Sequence, residues 1–536
     1  MKNKTTKLMA LLVLLLPIVG VGPLSQAQTA SNWGMEFPTS QSGVAQEHFL
    51  EGVTYMHLHM FEDAEEQFRA AQAAAPDFAM AYWGEALNNH RTIWNIHRPE
   101  AAREILNRLG ANVEERAAKA PTEREKAYLM SVEILFSQGN QSERQAAYAE
   151  AMRQISERYP DDTEAKAWYA LSLMRETPPD MTRQQTRSLM ASLSLEVLAR
   201  NPRHPGANRY LIQSTDDPEN TDIGVIAVNN LRLVDTDAAE ALHIPSHYYV
   251  QHGMWSEVAE SNMKAFDASM SWVDDHGWSL EDLNSHNYGH LLQFANYGYL
   301  QSGMISKAES IRNRIYSDFL ASNQAAEIAV PLADTFARMI IDLEQWSSAA
   351  DLVEDVRNFN IRQPSIWLAI GLGAVRSGNL DLAEEALAIL SDSADGSASV
   401  GSIAALQIDG ILRISEGSTR QGLSLLNDAV KLSAQMNVQN PVTLIGSPPR
   451  PVKPALELYG EALLETGSAA LALDQFQQGL KLYHGRTNLL LGAARAATAS
   501  GDTIDAYRYY KQLSKIWSAA EETHPFTAEV RAALVQ

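Results

Sequence analysis

The chain has 536 residues, a formal charge of −22 from 43 Lys and Arg against 65 Asp and Glu, and no cysteine. The acid excess repels phosphate backbones and anionic lipid surfaces, which argues against nucleic acid as a partner. The missing thiols exclude disulfides, thiolate metal sites, cysteine nucleophiles and a lipid-modified cysteine, so stability must come from packing alone.

At the start of the chain, Lys2, Lys4 and Lys7 precede an apolar run from Leu8 to Val21 and then Ser25-Gln26-Ala27. That order predicts a cleaved secretory signal over residues 1–27 and an exported, periplasmic or secreted, mature chain. The run is broken by Pro17 and is shorter than the roughly 20 residues that a membrane anchor needs. Cleavage removes three lysines and moves the charge from −22 to −25. No stable membrane span is expected in what remains.

A helical repeat begins at Ala45, with Gly52, Tyr55, Ala64, Phe68, Ala71 and Pro76 following in order. These spacings let Gly52 admit a second helix at close range while Ala64 and Phe68 fill the seam. Near the other end, Gly467, Ala472 and Phe476 recur 34 residues later as Gly501, Ala506 and Tyr510. A period of that length between apolar helical segments marks an array of helix-turn-helix units. Gly253, Gly303, Gly378 and Gly417 fit the same register as turn glycines.

The expected organisation is a helical array over residues 43–390, a flexible linker over 391–402 (Ser391 to Ser402), and further repeats over 403–536. A Pro-rich loop, 437–454, interrupts the last part, because Pro441, Pro448, Pro449, Pro451 and Pro454 are too many for a helix interior. No segment alternates apolar and polar residues in the manner of a sheet, so the chain is predicted to be all-α.

The residue order from Ala45 to Pro76, with Ala79–Leu87 opening the next copy, resembles the tetratricopeptide repeat (TPR). That resemblance implies a right-handed α-solenoid of TPR-like units with a concave groove. Longer phrases at Ala79–Trp94, Asn201–Pro218, Ala241–Trp255 and Pro449–Glu461 resemble signature segments of a family of exported bacterial TPR proteins of unsettled function. Arg209, Gln213 and Leu456 stand where that family's phrases carry histidine.

Twelve of the fourteen histidines fall between His48 and His290. In the repeat register implied by the resemblance, His243, His247, Glu240 and Gln251 face the groove, as do His290, Gln293, Tyr297 and Gln301 in the next unit and His90 and Arg91 in an earlier one. Glu457, Glu461 and Glu465 hold the same positions near the end, which predicts an acidic wall opposite a histidine wall.

These residues support two readings. In one, His90, Arg91, Glu240, His243, His247, Gln251, His290, Tyr297, Glu457 and Glu461 form a floor for a peptide, a protein partner or a small polar ligand, and no cofactor is required. In the other, His243, His247 and His290 hold a divalent metal such as zinc, with His204 and Asp216 or Asp217 as further ligands or a base, in a hydrolase or oxidoreductase. Imidazoles four apart on a helix share a face, but no HExxH sequence occurs, and Pro245 between the first pair threatens to turn His243 away from His247. The absence of a GxxxxGK loop and a GxSxG elbow removes nucleotide-dependent and ordinary serine-hydrolase chemistry from consideration.

Overall fold

The computed structural model describes residues 32–392, 398–439 and 448–535, apart from the side chains of residues 285, 286, 392 and 437–439. The expected signal segment 1–27, residues 393–397 of the expected linker and residues 440–447 of the Pro-rich segment lie outside it. Helix makes up 73% of the chain, in antiparallel pairs that stack from Val44–His57 with Phe61–Ala74 to Thr487–Ser500 with Thr503–Ile516. The architecture is a TPR-like helical solenoid. Its one departure from all-helix among the described residues is a two-residue hairpin, His90–Arg91 against Ile96–His97.

The turn glycines explain the pairing. Gly253, Gly303, Gly378, Gly417, Gly467 and Gly501 all close a first helix with φ between 63° and 86°, a region that favours glycine. Gly52 acts differently: a Cβ there would lie 2.7 Å from the Phe68 ring, so its bare backbone lets the second helix dock. Apolar faces then bury continuously, with Phe49, Phe68 and Trp83 fully enclosed near the start and Phe476 near the end.

The helices on either side of residues 393–397 pack together. Ser399 caps Val400–Ser415, and that helix packs on Pro364–Arg376, where a Cβ on Gly371 would lie 2.3 Å from Ile408. The latter part of the Pro-rich loop packs inward: the Pro449 carbonyl accepts from Arg338 at 2.9 Å and the Lys453 carbonyl from Gln407 at 2.9 Å. No helix among the described residues is long and apolar enough to cross a membrane.

The last repeats also close onto the middle ones. Trp255 donates to the Gly485 carbonyl at 3.1 Å, His484 donates through Nδ1 to the Gln251 carbonyl at 2.9 Å, and Gln301 accepts from the Thr487 N–H at 2.9 Å. These contacts bring the C-terminal helices against the turn that comes after His247.

Candidate metal centre

His243 ends the short helix Ala239–His243, and His247 lies in the next, Pro245–Gln251. Pro245 starts that second helix, and Ile244 between them keeps helical dihedrals of −56° and −31°. The turn therefore continues through the proline, and the anticipated divergence does not occur: His243 Nε2 and His247 Nε2 are 3.2 Å apart. His290, which opens the helix His290–Ser302, brings its Nε2 to 3.1 Å from that of His243. One ligand atom from each ring lies within 4.8 Å of the others. Phe294, one turn after His290, packs its ring against all three imidazoles at 4.8 to 5.2 Å.

The outer nitrogens are committed. Asn262 donates through its amide to the Val258 carbonyl at 2.8 Å, which leaves its Oδ1 facing His243 Nδ1 at 2.7 Å. The Asp216 carboxylate, an acceptor only, lies 2.8 Å from His247 Nδ1 and also accepts from Gln251 at 3.1 Å. Both rings therefore carry a proton on Nδ1, and as neutral imidazoles both present Nε2 lone pairs to each other. A proton on His290 Nε2 serves one of these lone pairs and leaves the second without a donor.

Burial, with the neighbouring His247, pushes His243 down to about 4, and burial holds His290 well below the ordinary imidazole value, so neutral rings are favoured at both positions. Glu240, one turn before His243, is tied to Arg209 and does not enter the triangle of nitrogens.

The other proposed ligands lie elsewhere. Asp217 is directed away from the cluster: it accepts the backbone N–H groups of Glu219 and Asn220, each at 2.9 Å, and pairs with Arg187 at 3.1 Å, so its carboxylate organises a turn. Its neighbour Asp216 is the one that reaches the histidines. His204 belongs to a second cluster with His57 and Glu164. There each His Nε2 donates to one Glu164 oxygen, at 2.8 Å from His204 and 3.0 Å from His57. His57 Nδ1 accepts from the Tyr210 hydroxyl at 2.8 Å, and His204 Nδ1 accepts the Ala207 N–H at 3.1 Å. Burial would raise Glu164, but the two imidazoles outweigh it and hold the carboxyl at about 2.

Nothing in the sequence marks Glu164, which looks like an ordinary acidic residue in a first helical turn. Gly206 is the readable trace of that cluster, since a Cβ there would lie 2.3 Å from His57 Nδ1. Asn262 is likewise silent in the sequence, being one polar residue in a 21-residue helix.

His90 pairs across the hairpin with His97, Nδ1 to Nδ1 at 3.2 Å, while Arg144 donates to His97 Nε2 at 3.2 Å. The His97 Nδ1 proton thus serves His90. Arg91 stacks over Phe61 at 4.3 Å and pairs with Glu62 at 2.9 Å.

The acidic wall does not face the histidines. Glu457 binds Arg486 at 2.6 Å and Lys453 at 2.9 Å, Glu461 binds Lys453 at 2.6 Å, and Glu465 binds Arg376 at 2.7 Å. Arg486 continues to Asp342 at 2.6 Å, and Tyr297 lies buried beneath Arg338 and Arg486. Gln293 and Gln301 likewise donate to Asp334 and Asp342, at 2.7 and 3.1 Å. The inward residues of the later repeats are paired with one another because the chain's own last helices cover them.

No protein-family model matches the chain, and no curated protein matches it. Among solved structures it is similar to the APC/C hetero-tetramer Cut9–Hcn1, at 13% identity over 92% of this chain and 90% of that one, with a TM-score of 0.33. It is similar to yeast Tom70 at 12% identity over 92% and 87%, TM-score 0.33. A third similarity is to Naa15/Naa10 bound to HypK-THB, at 13% identity over 92% and 86%, TM-score 0.29.

Proposed function

We propose that this chain is an exported helical-repeat binding protein whose working group is one divalent transition-metal ion held by Nε2 of His243, His247 and His290. One observation carries the reading: three imidazole nitrogens converge while the outer nitrogens of two of the rings are tied to Asn262 and Asp216. The separations of 3.1 and 3.2 Å from His243 Nε2 to those of His290 and His247 each correspond to a pair of ligands about 2.0 to 2.1 Å from one ion at an angle of about 100°. A carboxylate behind a ligating imidazole fixes its tautomer and raises its basicity, which is the outer arrangement metal-binding histidines ordinarily have.

Three nitrogens leave a coordination position for water or a ligand atom, and zinc bound in this way lowers the pKa of its water to about 7. Metal-assisted hydrolysis is therefore the reaction class to assay first. Export is proposed from Lys2 to Ala27 alone. Recognition of a peptide, protein partner or small polar ligand remains the frame for the scaffold, with the early repeats as its accessible part, since the last helices close onto the middle repeats and the inward carboxylates of the last repeats are already neutralised.

The test is elemental analysis of protein purified without chelator or histidine tag. About one zinc, copper, nickel or iron per chain is expected, lost in the His243→Ala/His247→Ala variant. Substoichiometric metal that the variant does not change and added ions do not restore would remove the metal reading.

A further inference from the structure

A cavity of about 210 Å³ lies between the first repeat and the middle of the chain. One wall comes from the turn after Val44–His57 and from the hairpin, and carries Phe61 and Trp94, 5.1 Å apart. The other comes from the end of the long helix Trp255–Asp275 and the turn after it. There Trp272 stacks on His276 at 3.9 Å and meets Trp278 edge-on at 4.9 Å. Trp272 ties the walls together by donating its indole N–H to Asp63 at 2.8 Å.

The charges lining this space are unbalanced. Glu62, Asp63, Asp237, Glu240 and Asp275 outnumber the cations near them: Arg91 pairs with Glu62, Arg209 pairs with Glu240 from outside the lining, and His276 lies 3.6 Å from Asp63. Tyr55, also in the lining, is raised to about 12 by burial and then by carboxylates that include Asp63 and Asp237, as expected of a negative local field. An anion would meet that field with no uncommitted cation to receive it, and a purely apolar ligand would desolvate the carboxylates without return. A cation gains twice, from the carboxylates and from the faces of electron-rich rings.

We propose that this cavity binds an alkylammonium group of about the size of a lysine side chain, with Trp272 and Trp278 as its aromatic wall and Asp63 and Asp275 as its counter-charges. This inference does not depend on the metal centre.

Purified full-length chain is titrated with cadaverine, with glutarate as the five-carbon dianion of opposite sign, and with the tripeptide Gly-Lys-Gly, following tryptophan emission and heat. Saturable quenching by cadaverine and none by glutarate is expected, with affinity at least tenfold weaker in Trp272→Phe and in the exposed Asp275→Asn, and weaker still in high salt. Tighter binding of the tripeptide assigns the ammonium to a peptide, and binding of the free diamine alone assigns it to a small amine. Circular dichroism checks the fold of each variant, and the His243→Ala/His247→Ala variant retains the binding whether or not it has lost metal. Absence of saturable binding by both cations, equal binding of glutarate, or unchanged affinity in folded Trp272→Phe and Asp275→Asn would overturn the proposal.

Discussion

Two histidine clusters in this solenoid, one fully buried and one half-buried, contain the same kind of side chain and ask for different things. At His57, Glu164 and His204, one carboxylate accepts from two rings, and the remaining ring nitrogens accept from Tyr210 and a backbone N–H. Protons alone satisfy every atom there. At His243, His247 and His290 the acceptors Asn262 and Asp216 lie outside the cluster, so the inner nitrogens face each other. Proximity of three candidate ligands is common to both, and the direction of the outer hydrogen bonds separates the structural network from the one we propose to hold metal.

The largest effect that would sharpen the contrast is at Glu164. Its replacement by alanine leaves two buried imidazoles without their shared acceptor and should cost about 3 to 5 kcal/mol in chemical denaturation, with the metal content unchanged. Loss of metal in that variant, while folded, would mean the clusters had been assigned the wrong way round. Next comes the metal itself. Zinc at about 100 times its dissociation constant should stabilise the native chain by about 2.7 kcal/mol and leave His243→Ala/His247→Ala unaffected, as read from denaturation midpoints.

A finer distinction lies between adjacent aspartates. Asp216→Asn should weaken metal affinity about 10- to 100-fold in a competition titration, because it supports His247 from behind. Asp217→Asn should leave that affinity intact and affect only stability, since Asp217 serves Arg187 and a turn. Equal effects on metal affinity would erase the distinction.

The last contrast is read in pH. His90, lowered to about 3 by burial and then by His97, takes a proton more readily when unfolded, so its contribution is complete above the ordinary 6.5 and is lost as pH falls from there toward 3. Glu164, held at about 2, contributes fully above the ordinary 4.5 and loses that contribution as pH falls toward 2. His243 and His290, also held low, share the His90 window, so metal-free denaturation midpoints should decline on acidification first through these histidines and then through Glu164, at about 1.4 kcal/mol per pH unit for each titrating group. Glu164→Ala should remove the lower stage and keep the upper one.

Much of the fold is legible in the sequence because it is local. A turn glycine, a small residue five positions on and an aromatic filling the seam act within one helix pair, and Gly52 with Phe68 shows the same logic in the structure. The trio His243, His247 and His290 was within reach for the same reason: two lie one turn apart and the third falls on the next repeat. The features that the sequence does not disclose are long-range. Glu164 meets His57 across 107 positions and Arg486 meets Asp342 across 144, and neither pairing leaves a spacing to detect. The expected acidic wall failed on that ground, because groove positions read from a repeat register say nothing about later helices folding back to cover them.

The most direct measurement is anomalous X-ray diffraction at the absorption edge of the metal found in the purified protein. A single peak about 2.0 to 2.1 Å from Nε2 of His243, His247 and His290, with none at Glu164, is the predicted result. Metal-loaded crystals with no peak among those three rings, or with the peak between His57, Glu164 and His204, would contradict it.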